Sequence, residues 1–254
     1  LNVKSNIGTL FLEEGKFHRA APLLREALAA SRATRGDLHP DTLTLVNNLG
    51  SLLQAMGDLD GAAPLLMEAL AARRETLGNK HKDTITVMNN VGTLLQAQLR
   101  FADAAVLYSE ALDMSRETHG HRHPDTLILL NNLCGLLQAM GDLDSAEPLL
   151  QEALIASREE LGLLHPDTLS AMDKFADLLM TRGDIDGAVL LFRQARDASS
   201  KTNEHRGASP NAQSQGLNRS FEALLKKHGY PPTFANRLLG VEASQSPPLS
   251  PPSI

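Results

Sequence analysis

From residue 40 to 56 the apolar side chains fall at Leu43, Val46, Leu49, Leu52, Leu53 and Met56, and steps of three and four residues place them on one helical face. A second face follows in Ala62, Leu65, Leu66, Ala69 and Leu70, which predicts another amphipathic helix over about 61–77. We call the two helices A and B. Pro40 suits a first helical position, whose amide hydrogen has no partner in any case, and Asp41 favours the positive end of the dipole. Gly57 stops A and Gly78 stops B, because glycine takes the left-handed C-cap without a Cβ penalty, while Asp58-Leu59-Asp60 caps the start of B. On this reading Pro64 lies in the first turn of B, where a missing amide hydrogen removes nothing from the ladder.

The pattern recurs. Asn47-Asn48, Asn89-Asn90 and Asn131-Asn132 are 42 residues apart, and the same step carries His39, His81, His123 and His165 and also Gly36, Gly78, Gly120 and Gly162. Five units can be counted, near 1–40, 41–82, 83–124, 125–166 and 167–200, so an array is expected over 1–200 in which each unit buries its apolar face only by stacking on a neighbour. Leu1 falls in the register of Leu43, and the chain is therefore read as starting inside a unit with upstream sequence lost. Small residues let the helices approach: Gly8, Gly50 and Gly92 on A, and Ala20, Ala62, Ala104, Ala146 and Ala188 on B. Cys134 takes the small A position of the fourth unit and reads as a packing residue. Leu99-Arg100 stands where Gly57-Asp58 would be, which predicts a poorly capped turn in the third unit.

Asn-Asn-Leu-Gly, the Gly-Asp turn, Ala-x-Pro-Leu, Glu-Ala-Leu, Arg-Glu-x-Leu-Gly and His-Pro-Asp-Thr together resemble the 42-residue tetratricopeptide repeat of kinesin light chains and nephrocystin-like proteins, over roughly residues 1–200. Val46, Leu53, Leu59 and Leu66 stand where the ordinary repeat carries aromatic knobs. The resemblance implies an all-α fold, a right-handed α-α superhelical solenoid of about five repeats with the A helices on its concave side. It also implies a non-enzymatic scaffold that binds an extended peptide segment of a partner in the concave groove, as the cargo-binding region of a kinesin light chain does, in a motor or signalling complex. The alternative is a sensor or regulatory array whose effector, a nucleotide-switch or enzyme domain, is missing from this chain.

The polar residues of A that packing leaves over share a face. In the second unit they are Thr44, Asn47, Asn48, Ser51 and Gln54; one step later come Thr86, Asn89, Asn90, Thr93 and Gln96, and then Asn131, Asn132 and Gln138, with Ile128 in the threonine place. Asn6 opens the row in the first unit. Each carboxamide both donates and accepts, so such rows can hold the main chain of a peptide whatever its side chains. By resemblance Asn47, Asn48, Asn89, Asn90, Asn131 and Asn132 match the family asparagines that hold peptide main chain. That some of these amides bond neighbouring helices instead stays open. Asp173 and Asp177 end the row with negative charge, which is read either as a chooser of basic ligand residues or as a solvated terminal face.

Composition narrows the partners. A net charge of −6 with no basic stripe argues against nucleic acid. Apolar runs stop far short of the roughly 20 residues of a membrane span, so no insertion is expected. One cysteine excludes an internal disulfide and suits a reducing cytoplasm. The repeated His-Pro-Asp matches the J-domain tripeptide, but its recurrence makes it helix-start punctuation. His119, His121 and His123 lie in a loop between units without cysteine or an acidic cluster and read as surface histidines, and no phosphate loop or nucleophile motif occurs, so no cofactor, metal or catalytic residue is expected.

After the array, 201–217 has linker composition, 218–240 is expected to form short helical segments that cap the open end, and 241–254 is a Ser/Pro-rich disordered tail. A helix is expected over 220–228 with Phe221, Leu224 and Leu225 on one face, and Phe234, Leu238 and Leu239 are the later apolar residues of that cap.

Overall fold

The computed structural model describes residues 16–206, 212–231 and 238. Among these residues ten helices follow one another: α1 (Phe17–Arg35), α2 (Pro40–Ala55), α3 (Leu59–Leu77), α4 (Lys82–Ala97), α5 (Phe101–His119), α6 (Pro124–Met140), α7 (Leu143–Leu161), α8 (Pro166–Thr181), α9 (Ile185–Arg206) and α10 (Ala212–Lys227). The chain divides into two compact units, Leu1–Leu136 and Leu137–Ile254.

In the first unit each helix packs on the next, from α1 through α5, and α2 also touches α4. An A helix therefore lies between two B helices, and its buried stripe is wider than the sequence periodicity suggests. Leu45, Val87 and Leu129 are buried beside the expected Leu43, Val46, Leu49, Leu52 and Leu53, whereas Met56, past the last turn of α2, is 37% exposed.

The small A positions meet large B side chains. A Cβ on Gly50 would lie 2.7 Å from Leu66, and one on Gly92 would lie 2.6 Å from the ring of Tyr108. Serine and threonine bond where each B helix meets the next A helix: Ser31 and Thr42 share a 2.8 Å hydrogen bond, as do Ser115 and Thr126. Arg73 replaces the serine once. Its buried guanidinium donates to the Pro40 carbonyl (3.1 Å) and the Thr44 hydroxyl (2.9 Å) and pairs with Asp83 (2.9 Å), thereby joining the starts of α2 and α4. Neighbouring B helices are also strapped by half-buried ion pairs, Arg32 to Glu68 and Arg74 to Glu110.

Helix starts are set by an acceptor the sequence reading did not name. His39, His81, His123 and His165 each accept, through Nδ1, the amide of the aspartate two residues on, at 3.1–3.3 Å. Asp58 caps α3 by accepting from the Gly61 amide at 2.9 Å, as Asp142 does for α7. Because α3 begins at Leu59, two residues before the expected start, Pro64 is its sixth residue and removes one ladder bond rather than none. At the third A-to-B turn Leu99 takes φ +60, where Gly57 and Gly141 take +81 and +78, and Arg100 supplies no side-chain cap.

In the second unit α7 packs on α8, α8 on α9, and α10 on both α8 and α9. Phe192 and Phe221, both fully buried, meet with ring centroids 4.6 Å apart, and Leu217 and Leu225 complete the contact. The Leu238 carbonyl accepts from Arg193 at 2.8 Å. The expected linker at 201–217 overlaps the end of α9 and the start of α10; its middle, like Phe234, Leu239 and the tail 241–254, lies outside the described residues.

Candidate functional site

The Asn-Asn dipeptides sit midway along the A helices, and helical rotation aims their side chains at the next A helix. Asn90 donates from Nδ2 to Asn47 Oδ1 at 2.9 Å, and Asn132 donates to Asn89 Oδ1 at 2.8 Å. The second carboxamide of one helix thus bonds the first carboxamide of the helix before it. All six asparagines of the three pairs are half-buried. Each bond contributes about 1 kcal/mol net and fixes the orientation of both amide planes. Among the described residues the Nδ2 of Asn47, the Nδ2 of Asn89 and the Oδ1 of Asn90 take no further side-chain hydrogen bond, so each retains an unused donor or acceptor.

Around this ladder Thr86 lies exposed at the mouth of a shallow pocket in the first unit, lined by Ile85, Thr86, Asn89, Asp125, Ile128 and Leu129. Ile128 is 52% exposed there, an apolar surface beside an amide. Thr44 is tied back to Pro40 and to Arg73. Thr93 donates to the Asn89 carbonyl at 3.0 Å, and the single proton of the buried Tyr108 hydroxyl is shared between Thr93 Oγ1 at 2.9 Å and Gln96 Oε1 at 3.5 Å. Burial pushes the Tyr108 phenol above its ordinary range, and the Thr93 bond offsets part of the shift. Ser51 and Gln54 are half-buried on the same helix face, and Ser51 Oγ has no partner among the described residues. Asn6 lies outside the described residues.

The second unit holds the end of the expected row. Gln138 donates to the Lys174 carbonyl at 3.3 Å. Asp173 and Asp177 face the chain's own α10: Ser220 donates to Asp173 at 2.6 Å, while Lys227 and His228 bond Asp177 at 2.7 and 2.9 Å. The basic group that meets Asp177 is therefore Lys227. Burial pushes the Asp173 carboxyl up, only partly offset by Ser220, and its Oδ1 is buried without a partner among the described residues. Burial acts in the same sense on Asp177, but the bonds and charges of Lys227 and His228 outweigh it and hold that carboxyl below the usual range.

These opposite shifts give opposite expectations. A raised folded-state pKa contributes stability that is present below the ordinary aspartate range and lost as pH rises through the folded value, so at neutral pH the Asp173 charge is a net cost. A depressed one contributes stability that is present above the ordinary range and lost as pH falls through the folded value. Asp173→Asn, which keeps an acceptor for Ser220, is expected to raise Tm at pH 7, with a smaller gain at pH 4. Asp177→Asn is expected to lower Tm at pH 7, with a smaller loss on acidification. Thermal melts of both variants at the two pH values check this, and equal shifts of one sign would contradict it.

Sequence reasoning missed Arg73 and Tyr108. Their signal was present: Arg73 breaks the row of Ser31, Ser115, Ser157 and Ser199, and Tyr108 breaks the row of Leu24, Leu66 and Leu150. Among the described residues no helix is long and apolar enough to cross a membrane.

A family model described as the tetratricopeptide repeat matches residues 1–75, 41–117, 83–133 and 125–201. No curated protein matches the chain significantly. Among solved structures, a Podosopora anserina protein of kinesin light chain type with nearly identical TPR-like repeats is 24% identical, with 80% of this chain and 96% of that one covered and a TM-score of 0.70. BtubC (BKLC) from P. vanneervenii is 25% identical over 82% of each chain, also at 0.70. The apo form of RapI is 13% identical over 89% of this chain and 83% of that one, at 0.68.

Proposed function

The chain belongs to the tetratricopeptide repeat family, and from that premise we propose that it is a non-enzymatic scaffold that docks an extended peptide segment of a partner protein along α2, α4 and the part of α6 that lies in the first unit. The carboxamide ladder carries the reading. A flexible asparagine loses side-chain freedom when it binds, whereas these amides are already fixed by Asn90 to Asn47 and Asn132 to Asn89. Asn47, Asn89 and Asn90 each retain a donor or acceptor for peptide main chain, and Ile128 beside Asn89 offers apolar contact for one ligand side chain. The resemblance of the repeat motifs to those of kinesin light chains favours a partner of the cargo kind.

The Asn47→Ala, Asn89→Ala, Asn131→Ala triple variant tests it. Two or three lost bonds of about 0.5–1.5 kcal/mol each are expected to weaken peptide capture by about tenfold or more. The variant is compared with the intact chain by quantitative pull-down followed by fluorescence anisotropy on the captured segment, with circular dichroism as the folding control. Unchanged affinity in a folded variant would reject this surface.

A further inference from the structure

The turn from α5 to α6 brings two imidazoles and a carboxylate together in the first unit. His119 ends α5, His123 immediately precedes α6, and Asp125 is in the first turn of α6. The two rings stack with centroids 4.7 Å apart and planes at 26°. One ligand atom from each of the three residues lies within 4.8 Å of the other two.

Two members of this group are periodic and one is not. His123 and Asp125 recur as His39 and Asp41, His81 and Asp83, and His165 and Asp167. The place of His119 is taken elsewhere by Arg35, Leu77 and Leu161. A side chain at that place reaches the carboxylate, because Arg35 forms an ion pair with Asp41. Only in this turn does an imidazole stand there.

The chemistry of the periodic pair is suited to a cation. His123 Nδ1 accepts the Asp125 amide at 3.2 Å, so its lone pair is held at Nδ1, which lies 3.6 Å from an Asp125 carboxylate oxygen. Two ligands on a tetrahedral zinc ion, each 2.0–2.1 Å from the metal, stand about 3.3 Å apart. The amide that gives up Nδ1 to a metal belongs to Asp125, an exposed residue of the helix start, so solvent is at hand to replace the lost acceptor. Among the described residues His119 Nδ1 is engaged only by two long hydrogen bonds, with Ser115 Oγ at 3.5 Å and Thr118 Oγ1 at 3.4 Å.

We propose that His119, His123 and Asp125 form a site for a divalent transition metal of the zinc class, with the remaining coordination position open to water. The two imidazole nitrogens and one carboxylate select Zn²⁺, Ni²⁺ or Cu²⁺ over Mg²⁺ and Ca²⁺, which take oxygen ligands. Bound metal ties the last turn of α5 to the first turn of α6 and raises the apparent stability of the first unit by mass action.

Calorimetric titration of the full chain with Zn²⁺, and with Mg²⁺ as the oxygen-preferring control, tests the site. The expected result is saturation at one Zn²⁺ per chain, no Mg²⁺ uptake and a Tm that climbs with Zn²⁺ concentration. His119→Leu installs the residue that two other units carry at this place and is expected to weaken Zn²⁺ binding by about tenfold or more. Asp125→Asn keeps the backbone amide and is expected to do the same, so it decides the matter should His119→Leu fail to fold. His18→Ala, far along the chain, leaves the affinity unchanged. Absence of saturable Zn²⁺ uptake, or uptake unaltered in folded His119→Leu or Asp125→Asn, overturns the proposal.

Discussion

Phe221→Ala is expected to cost about 3–5 kcal/mol and to release α10 from α8 and α9, because it empties the space of a fully buried ring. Phe221 is the apolar centre of that contact: it faces Phe192 at 4.6 Å, with Leu217 and Leu225 on either side. The polar bonds around it depend on the same docking. Lys227 and His228 reach Asp177, and Ser220 reaches Asp173, only while α10 is seated. Urea unfolding should therefore show a lower midpoint, and hydrogen exchange should show α10 amides losing protection ahead of the rest of the second unit. An unchanged midpoint with α10 still protected would show that the ring is not what holds the helix.

The second large effect concerns a hydrogen-sized space. Gly92→Ala adds a Cβ 2.6 Å from Tyr108 Cε1 and 2.8 Å from Cδ1. The ring has nowhere to go, since Tyr108 is 1% exposed and its hydroxyl is held by Thr93. Overpacking of this kind costs about 1–3 kcal/mol, against a gain of about 1 kcal/mol from replacing glycine in a helix interior. The net result expected is destabilisation despite the better helix former. A double-mutant cycle with Tyr108→Ala isolates the cause, because the cavity left by the ring accepts the new methyl. Costs that simply add would place the strain elsewhere than at this contact.

Much of the local structure was legible in the sequence because helix ends and apolar faces are short-range properties. The alternation of A and B, the Gly57, Gly78 and Asp58 punctuation and the weak turn at Leu99-Arg100 all depend on residues within a few positions of one another. The sequence was less informative where position in space decides. The ladder joins residues 43 apart, Asn90 to Asn47 and Asn132 to Asn89, and that offset depends on how far one A helix is rotated against the next. Leu45 and Val87 look like excess apolar residues until each A helix is seen between two B helices. Composition was no guide to α10, whose first half, from Ala212 to Arg219, is polar and small except for Leu217. His39 and its counterparts were read as punctuation without the reason, because proline and aspartate suggested dipole chemistry while the acceptor is the imidazole itself.

Leu99 holds a backbone angle that glycine adopts freely and that costs a branched side chain about 1–2 kcal/mol. It does so in the middle of the first unit, at 75% exposure and ahead of a helix without a side-chain cap. In a structure where each pair of helices leans only on its neighbours, such a joint is a seam. The weakness is confined to its backbone, since Gly92 against Tyr108 and the Thr93–Tyr108 bond hold α4 on α5, so within the first unit proteolytic nicking is expected to start at this turn.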